Sequence, residues 1–383
     1  MIYKRFLSLE EESKHRSLFL FGPRLTGKTF LLKKTFPEAP YYDLLLSDLF
    51  MRLSSQPRIL REEIYAISSE FKGPVIIDEI QKLPILLDEV HHLIEEKGVH
   101  FILTGSSARK LKRENVNLLG GRARTRYLFP LVSAEITDFN LIRALNYGTI
   151  PAIYLSDDPE EDLIAYCGNY LQQEILEEGL VRRIENFSRF LKTAAFVNTE
   201  LVNFEVIARD CAVPARTVRE YFYLLEDTLV GALLYPYRKT LKRKPISRAK
   251  FYFFDVGVAN TLAERRDIHP KKELFGKALE HFIFLELRSY LSYTRDRREL
   301  SFWRSRTGYE VDFLIGDELG IEVKAANQVD RRDFKGLLAL SEELALKHKI
   351  VVSMDERPRK AGDVDILPVN HFLNKLWDGA FIR

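Results

Sequence analysis

Only two cysteines occur in the chain, Cys167 and Cys211, and they stand far apart. That excludes a disulfide framework and a cysteine-rich metal site, and it fits a reducing compartment. No apolar run approaches the ~18 residues that cross a bilayer. The opening MIYKRFLSLEEESKHRS mixes both charge signs and has no apolar core of the kind a secretory leader carries. A cytoplasmic protein with no membrane partner is therefore expected. Low-complexity segments and internal repeats are also missing. The net charge is only +3, too small to mark the whole chain as a nucleic-acid binder, so any such role must rest on local clusters.

What is present is an ordinary globular composition, 46% hydrophobic and 30% charged, over 383 residues. At ~150 residues per domain this length suggests two or three domains. The most informative stretch is Gly22-Pro23-Arg24-Leu25-Thr26-Gly27-Lys28-Thr29. It follows the apolar run Leu18–Phe21 and precedes a helical segment, Phe30–Thr35. Strand, glycine loop and helix are the context in which G-x-x-x-x-G-K-[ST] acquires physical meaning. The glycines let backbone N–H groups converge on phosphate oxygens, and the helix N-terminus faces the same anion. Lys28 reaches the outer phosphates, and the Thr29 hydroxyl is placed for Mg2+.

Further strands are expected at Tyr41–Leu45, Val75–Ile80, Phe101–Thr104 and Tyr127–Leu131, with a helix over Leu83–Lys97. Near-continuous apolar strands separated by helices argue for an α/β parallel sheet covered on both faces. Val75-Ile76-Ile77 runs into Asp78 and Glu79 at a strand's C-terminal end, where open α/β sheets bind ligands. Asp78 suits Mg2+ held through water, and Glu79 suits polarising an attacking water. Phe101–Leu103 ends in Thr104, Gly105, Ser106 and Ser107. Ser106, and after it Thr104, is the candidate for a polar group between the γ-phosphate and that water; a simple strand-end turn would look the same. Arg122, Arg124 and Arg126 alternate after a glycine pair. They read either as a solvated basic edge or, for Arg122, as a charge inserted into a neighbouring subunit's site, which would make the chain a homo-oligomer.

Residues 132–196 turn helical and carry no evident chemistry, with helices expected over Glu160–Gly179 and Leu180–Phe196. A short helix to Cys211, a break at Val213-Pro214 and a stronger helix over Ala215–Leu229 have helix-turn-helix spacing. Leu233–Tyr237 would open a wing, and Arg216, Thr217 and Arg219 would face base edges. Arg238–Lys250 then holds seven basic residues, Lys242, Arg243 and Lys244 among them, and no acid. This is either a solvated loop or a phosphate-tracking stretch.

The last part opens on a strand at Phe251–Asp255, followed by an amphipathic helix over Leu274–Tyr290. In the later strands side chains two apart share a face, so Glu322 and Lys324 point together with Ile321 and Val323 turned to the core. Asp312 on the preceding strand can lie beside them, and Glu280 can join from the helix. Two carboxylates and a lysine on paired strands suit a second Mg2+ at Asp312 and Glu322 with a positioned water. A polar sheet face with a Glu–Lys pair is the simpler alternative.

Through FGPRLTGKT, VIIDEIQKLP, FILTGSSARKL, GGRARTRYLFPLVSAEI, TVREYFYLLEDTLV, FGKALEHFIFLEL, YEVDFLI and GIEVKAA the chain resembles a prokaryotic family. This family comprises AAA-type ATPases with a C-terminal domain of unknown function that has a restriction-endonuclease-like core. The resemblance implies a P-loop AAA+-type ATPase domain over 1–140, a helical lid over 141–197, a winged helix-turn-helix over 198–248 and a restriction-endonuclease-like domain over 249–383. It makes Lys28 and Thr29 the Walker A pair, Asp78 and Glu79 Walker B, Ser106 the sensor, and Glu280, Asp312, Glu322 and Lys324 the nuclease-like set. Leu25 departs from the family, whose members often have a polar residue there. The expected function is Mg2+-dependent ATP hydrolysis acting on or with DNA. The alternatives are a metal-dependent endonuclease under ATP control and an ATP-binding, DNA-bound scaffold without nuclease activity.

Overall fold

The computed structural model describes residues 3–67, 73–109, 111, 119–170, 184–240, 243 and 245–381. They form two compact units. One comprises residues 4–129 with 227–229; the other comprises 1–3, 130–226 and 230–383.

The first unit is a parallel sheet of β1 (Ser17–Phe21), β2 (Tyr41–Asp43), β3 (Val75–Asp78), β4 (Phe101–Gly105) and β5 (Ala123–Tyr127). The order is β2-β3-β4-β1-β5, so β4 is inserted between the strands that lead to the glycine loop and to Asp78. Strands β1, β3 and β4 are buried along their whole length, which explains their unbroken apolar character. Phe19, Phe21, Ile77 and Leu103 pack on the helix Leu86–Lys97 through Leu86, Val90 and Leu93.

The expectation for the last strand is corrected. It is the arginine-rich stretch Ala123–Tyr127 itself, not Tyr127–Leu131. As an edge strand it is covered on one side only, so alternating arginines are tolerated where a central strand would exclude them. Arg124 and Arg126 turn to the buried Glu12 carboxylate.

In the second unit, short helices (Leu141–Tyr147, Pro151–Tyr154, Pro159–Ala165) lead to the helix Ile184–Phe196. The expected helices over Glu160–Gly179 and Leu180–Phe196 fall partly outside the described residues. Two helices follow, Phe204–Cys211 and Ala215–Asp227, divided by a left-handed Ala212 and by Pro214. An antiparallel ribbon comes next, β6 (Gly231–Leu234) with β7 (Lys250–Phe253). Phe190, Phe222, Phe251 and Phe253 form a chain of edge-on ring contacts that joins the helices to the ribbon.

A mixed six-stranded sheet completes the unit: β8 (Leu300–Arg304), β9 (Glu310–Ile315), β10 (Leu319–Lys324), β11 (His348–Ser353), β12 (Arg359–Ala361) and β13 (Val364–Pro368). Its order is β12-β13-β11-β10-β9-β8. The long helix Glu273–Thr294 packs Phe282, Ile283 and Leu287 with Phe313, Ile321 and Val323 of this sheet. Among the described residues no helix is long and apolar enough to cross a membrane.

Candidate active site

At the C-terminal ends of β1, β3 and β4 the sequence builds a cradle around the glycine loop. A Cβ at Gly22 would lie 2.2 Å from the Leu128 carbonyl oxygen, so the close approach there requires glycine. Gly27 has φ +89° and caps the helix Lys28–Thr35 in a conformation that side chains resist. Leu25 adopts φ 63° and is exposed. Thr26 Oγ1 donates to the Pro23 carbonyl at 2.9 Å. Arg5 fastens the loop, giving Nη1 to the Thr26 carbonyl at 2.7 Å and Nη2 to the Phe129 carbonyl at 2.6 Å.

Lys28 is buried, and its Nζ donates to the Gly22 and Pro23 carbonyls at 2.7 and 3.2 Å. These neutral acceptors hold the ammonium at the loop. Thr29 Oγ1 donates to Asp78 Oδ2 at 2.7 Å, which brings the two proposed Mg2+ partners together. The Tyr41 hydroxyl also donates to Asp78 Oδ2, and Thr104 Oγ1 donates to Oδ1. Burial, with Asp78 as acceptor, pushes the Tyr41 phenol far above its ordinary range and keeps it a donor. A buried carboxylate surrounded by hydroxyl donors is chemically suited to a magnesium–phosphate ligand. Thr29 and Asp78 would hold such an ion, which would offset phosphate charge.

Glu79 has φ 63°, an uncommon backbone state for this residue type. Its N–H donates to Thr104 Oγ1 at 3.1 Å, while Gln81 Nε2 holds its carboxylate at Oε2. Thr104, the second choice for the polar residue on this strand, is thus the one in contact with Asp78 and Glu79. Ser106 is buried nearby in sequence. Arg24 lies within the loop, as expected. Arg122 lies apart from the cradle. It precedes Ala123, which pairs with Ser17 at the opposite end of β1, roughly 16 Å from the loop at ~3.3 Å per residue. Its guanidinium pairs with Glu95.

The second cluster lies in the other unit. Asp312 Oδ2 accepts the Val323 N–H at 2.8 Å, just past the last paired residues of the β9–β10 ladder, Phe313 and Ile321. Lys324 Nζ contacts Glu322 Oε1 at 2.6 Å, as alternation requires. Sequence reasoning missed Lys250. Placed among the basic loop residues, it is instead the first residue of β7, with only 5% of its side chain exposed. Its Nζ lies 2.9 Å from Glu280 Oε1, 2.9 Å from Glu310 Oε1 and 3.8 Å from Asp312 Oδ1. Tyr252 donates to the same Glu280 oxygen at 2.7 Å. A basic residue opening an aromatic strand, KFYFF, was the available signal.

Burial, then the charge of Glu280, raises the Asp312 carboxyl to about 6. Burial, then Asp312, also raises Glu322. Burial opposes the charge on Lys250, but the surrounding acids hold the ammonium well above its ordinary value. Among the described residues no group of three or more Asp, Glu, His or Cys is arranged to hold a metal ion. A second Mg2+ at Asp312 and Glu322 therefore does not fit this arrangement, which already contains two ammonium groups.

Of the proposed nucleic-acid residues, Arg216 is exposed and pairs with Glu220, and Arg219 lies over the Phe204 ring. Thr217 is in the same helix. Arg243 is turned inward to Glu342, Glu343 and the Ala339 carbonyl. Lys242 and Lys244 lie outside the described residues. The picture of a uniformly solvated basic run is corrected at Lys250 and Arg243, both engaged by carboxylates.

Residues 14–137 match the family described as AAA domain. Behind this AAA domain, residues 138–269 and 275–372 match two families, each described as a domain of unknown function, DUF8612 and DUF4143. The chain is similar to an uncharacterized protein of Methanocaldococcus jannaschii, MJ1544, at 24% identity over 78% of this chain and 72% of that protein. It is also similar to an uncharacterized protein of Haemophilus influenzae, at 23% identity over 57% of this chain and 58% of that protein. The cradle and the Asp78–Glu79 strand end both lie inside the AAA domain.

Proposed function

We propose that the chain is a Mg2+-dependent ATPase whose turnover in the AAA domain drives the rest of the molecule, acting on or with DNA. The observation that carries this reading is the 2.7 Å contact between Thr29 and Asp78 beside a loop whose lysine rests on carbonyl oxygens. In this reading the loop N–H groups and Lys28 bind the phosphates. Thr29 and Asp78 hold Mg2+. Glu79 orients the attacking water and takes its proton, with Gln81 and Thr104 fixing where Glu79 sits. Ser106 remains the proposed sensor, with Thr104 as the alternative.

The finer division also belongs to this proposal: an ATPase domain over 1–140, a helical lid over 141–197, a winged helix over 198–248 and a restriction-endonuclease-like domain over 249–383. The helix pair and the β6–β7 ribbon support the winged-helix assignment. The Asp312, Glu322 and Lys324 constellation supports the nuclease-like one. DNA would be met by Arg216, Thr217 and Arg219. A metal-dependent endonuclease is the less favoured reading because Lys250 supplies the positive charge at that cluster.

Phosphate release from ATP by the purified chain, with and without Mg2+, tests the ATPase reading. Magnesium-dependent release that disappears in Lys28→Ala is expected; ATP turnover unaffected by that change would overturn it. DNA binding is tested by salt titration, in which affinity should fall as salt rises.

A further inference from the structure

The C-terminal cluster poses a problem of charge. Glu280, Glu310, Asp312 and Glu322 surround two ammonium groups, Lys250 and Lys324. Lys324 belongs to the same strand as Glu322. Lys250 comes from a different sheet, the β6–β7 ribbon, and its Nζ sits in contact with three acids at once. A lysine ammonium is a compact point charge, the side chain most able to substitute for a small cation among oxygens. One acceptor remains unused: Glu322 Oε2 is buried and has no hydrogen-bond partner among the described residues. A buried carboxylate oxygen without a donor is a position built for more positive charge than the cluster now holds.

We propose that Lys250 is a resident cation standing where a divalent metal would otherwise bind. While it is in place the cluster takes up no Mg2+ or Mn2+. Its removal opens a divalent-cation site on Glu280, Asp312 and Glu322. The ammonium satisfies Glu280 and Glu310 at 2.9 Å, whereas a divalent ion draws carboxylate oxygens in to roughly 2.1 Å and completes its shell with water. Asp312 and Glu280 are therefore directed at the ammonium, in an arrangement with no ready-made metal geometry. This inference stands apart from the ATPase reading, and ATP is absent from its test.

The test uses the full chain, free of nucleotide, with Asp78→Asn in every sample so that the cradle does not contribute a metal site. Free Mn2+ is followed by electron paramagnetic resonance during titration. With Lys250 present, no Mn2+ uptake that depends on Asp312 is expected. Lys250→Ala should bind one Mn2+ per chain at least tenfold more tightly, with Mg2+ competing, and adding Asp312→Asn should abolish that binding. Lys250→Arg should remain closed. Asp312-dependent uptake by the Lys250-containing protein would overturn the proposal, as would a folded Lys250→Ala chain that binds no Mn2+. Lys250→Met and Lys250→Gln keep most of the buried stem and take the place of Lys250→Ala if circular dichroism shows it unfolded. If none of the three folds, the Lys250-containing arm decides alone: Asp312-dependent uptake refutes the resident cation, and its absence upholds it.

Discussion

Two lysines define the contrast between the cradle and the C-terminal cluster. Lys28 rests on the carbonyl oxygens of Gly22 and Pro23. Lys250 rests on Glu280, Glu310 and Asp312. Carbonyls orient an ammonium but leave its charge to be met by an incoming anion; carboxylates neutralise it. The acids differ in the complementary sense. Asp78 is held by the hydroxyls of Thr29, Tyr41 and Thr104, which do not compete with a metal for charge. The acids of the C-terminal cluster are held by ammonium groups, which do. In the proposed reading, similar residue types thus make one site that awaits a charged ligand and another that contains its own.

The largest effect should come from Glu79→Gln. If Glu79 is the base, turnover falls by ~10²–10⁴ while ATP remains bound, because general-base catalysis contributes about that much. Phosphate release and nucleotide retention on a filter measure the two separately. Turnover near the unmodified rate would break the assignment and leave the cradle as a binding site only.

Next is Lys250→Met. Removing one partner of a buried ion pair leaves uncompensated charge and costs about 3–5 kcal/mol. Urea unfolding of the full chain should report that loss, and in an Asp78→Asn background, where the cradle takes up no metal, Mn2+ should recover part of it in the Lys250→Met variant alone, because a ligand that binds only the folded state stabilises it. A loss below about 1 kcal/mol, the range of exposed pairs, would show that Lys250 is not bearing the charge of its neighbours.

Some of this contrast was legible in the sequence and some was not. The loop, Asp78-Glu79 and Thr104–Ser107 follow buried strands whose apolar runs announce themselves locally. The placement of Glu322 with Lys324 follows from the alternation of one strand. β5 was misplaced because a half-exposed edge strand accepts arginines that an apolar search passes over. Arg5 and Tyr41 reach their partners from distant parts of the chain, so no spacing rule pointed to them. Lys250 was hidden by company: six other basic residues precede it in Arg238–Lys250, and only the pairing of β7 with β6 turns it inward.

A third kind of acid sharpens the comparison. Glu286 is fully buried and held by neutral donors: Ser133 N–H at 2.7 Å, Ser133 Oγ at 2.8 Å and Trp377 Nε1 at 2.6 Å. Burial outweighs these donors and raises its pKa to about 7. The folded chain therefore keeps a proton that the unfolded chain releases near 4.5. Stability from this group is fully present below pH 4.5, declines as pH rises to about 7, and is flat beyond, a loss of about 3 kcal/mol. Buried His281 slopes the other way. Burial lowers its pKa to about 4, so its contribution falls as pH drops from 6.5 to 4. Glu286→Gln should remove the first slope and leave the second, as read by urea unfolding across pH 4–8. An unchanged profile in that variant would mean Glu286 is ionised in the folded chain.

The smallest effect is expected at Arg122. Its partner Glu95 is, like it, well exposed, with side-chain exposures of 40% and 48%, and water screens such a pair. Arg122→Ala should therefore shift the unfolding midpoint little. Its position at the far end of β1 also predicts that ATP turnover by a single chain is nearly unchanged, within about threefold, less than 1 kcal/mol on the barrier. A role in a neighbouring subunit makes a different demand. The loss of turnover would then be large only at protein concentrations where chains associate. Turnover per chain measured across a dilution series separates the two cases. A loss of ~10³ or more that appears only in the associated protein would make Arg122 a residue of the neighbour's site. Equal turnover at every concentration would leave it an exposed ion pair at a sheet edge, the weakest version of the acid–base contact that Lys250 makes in the interior.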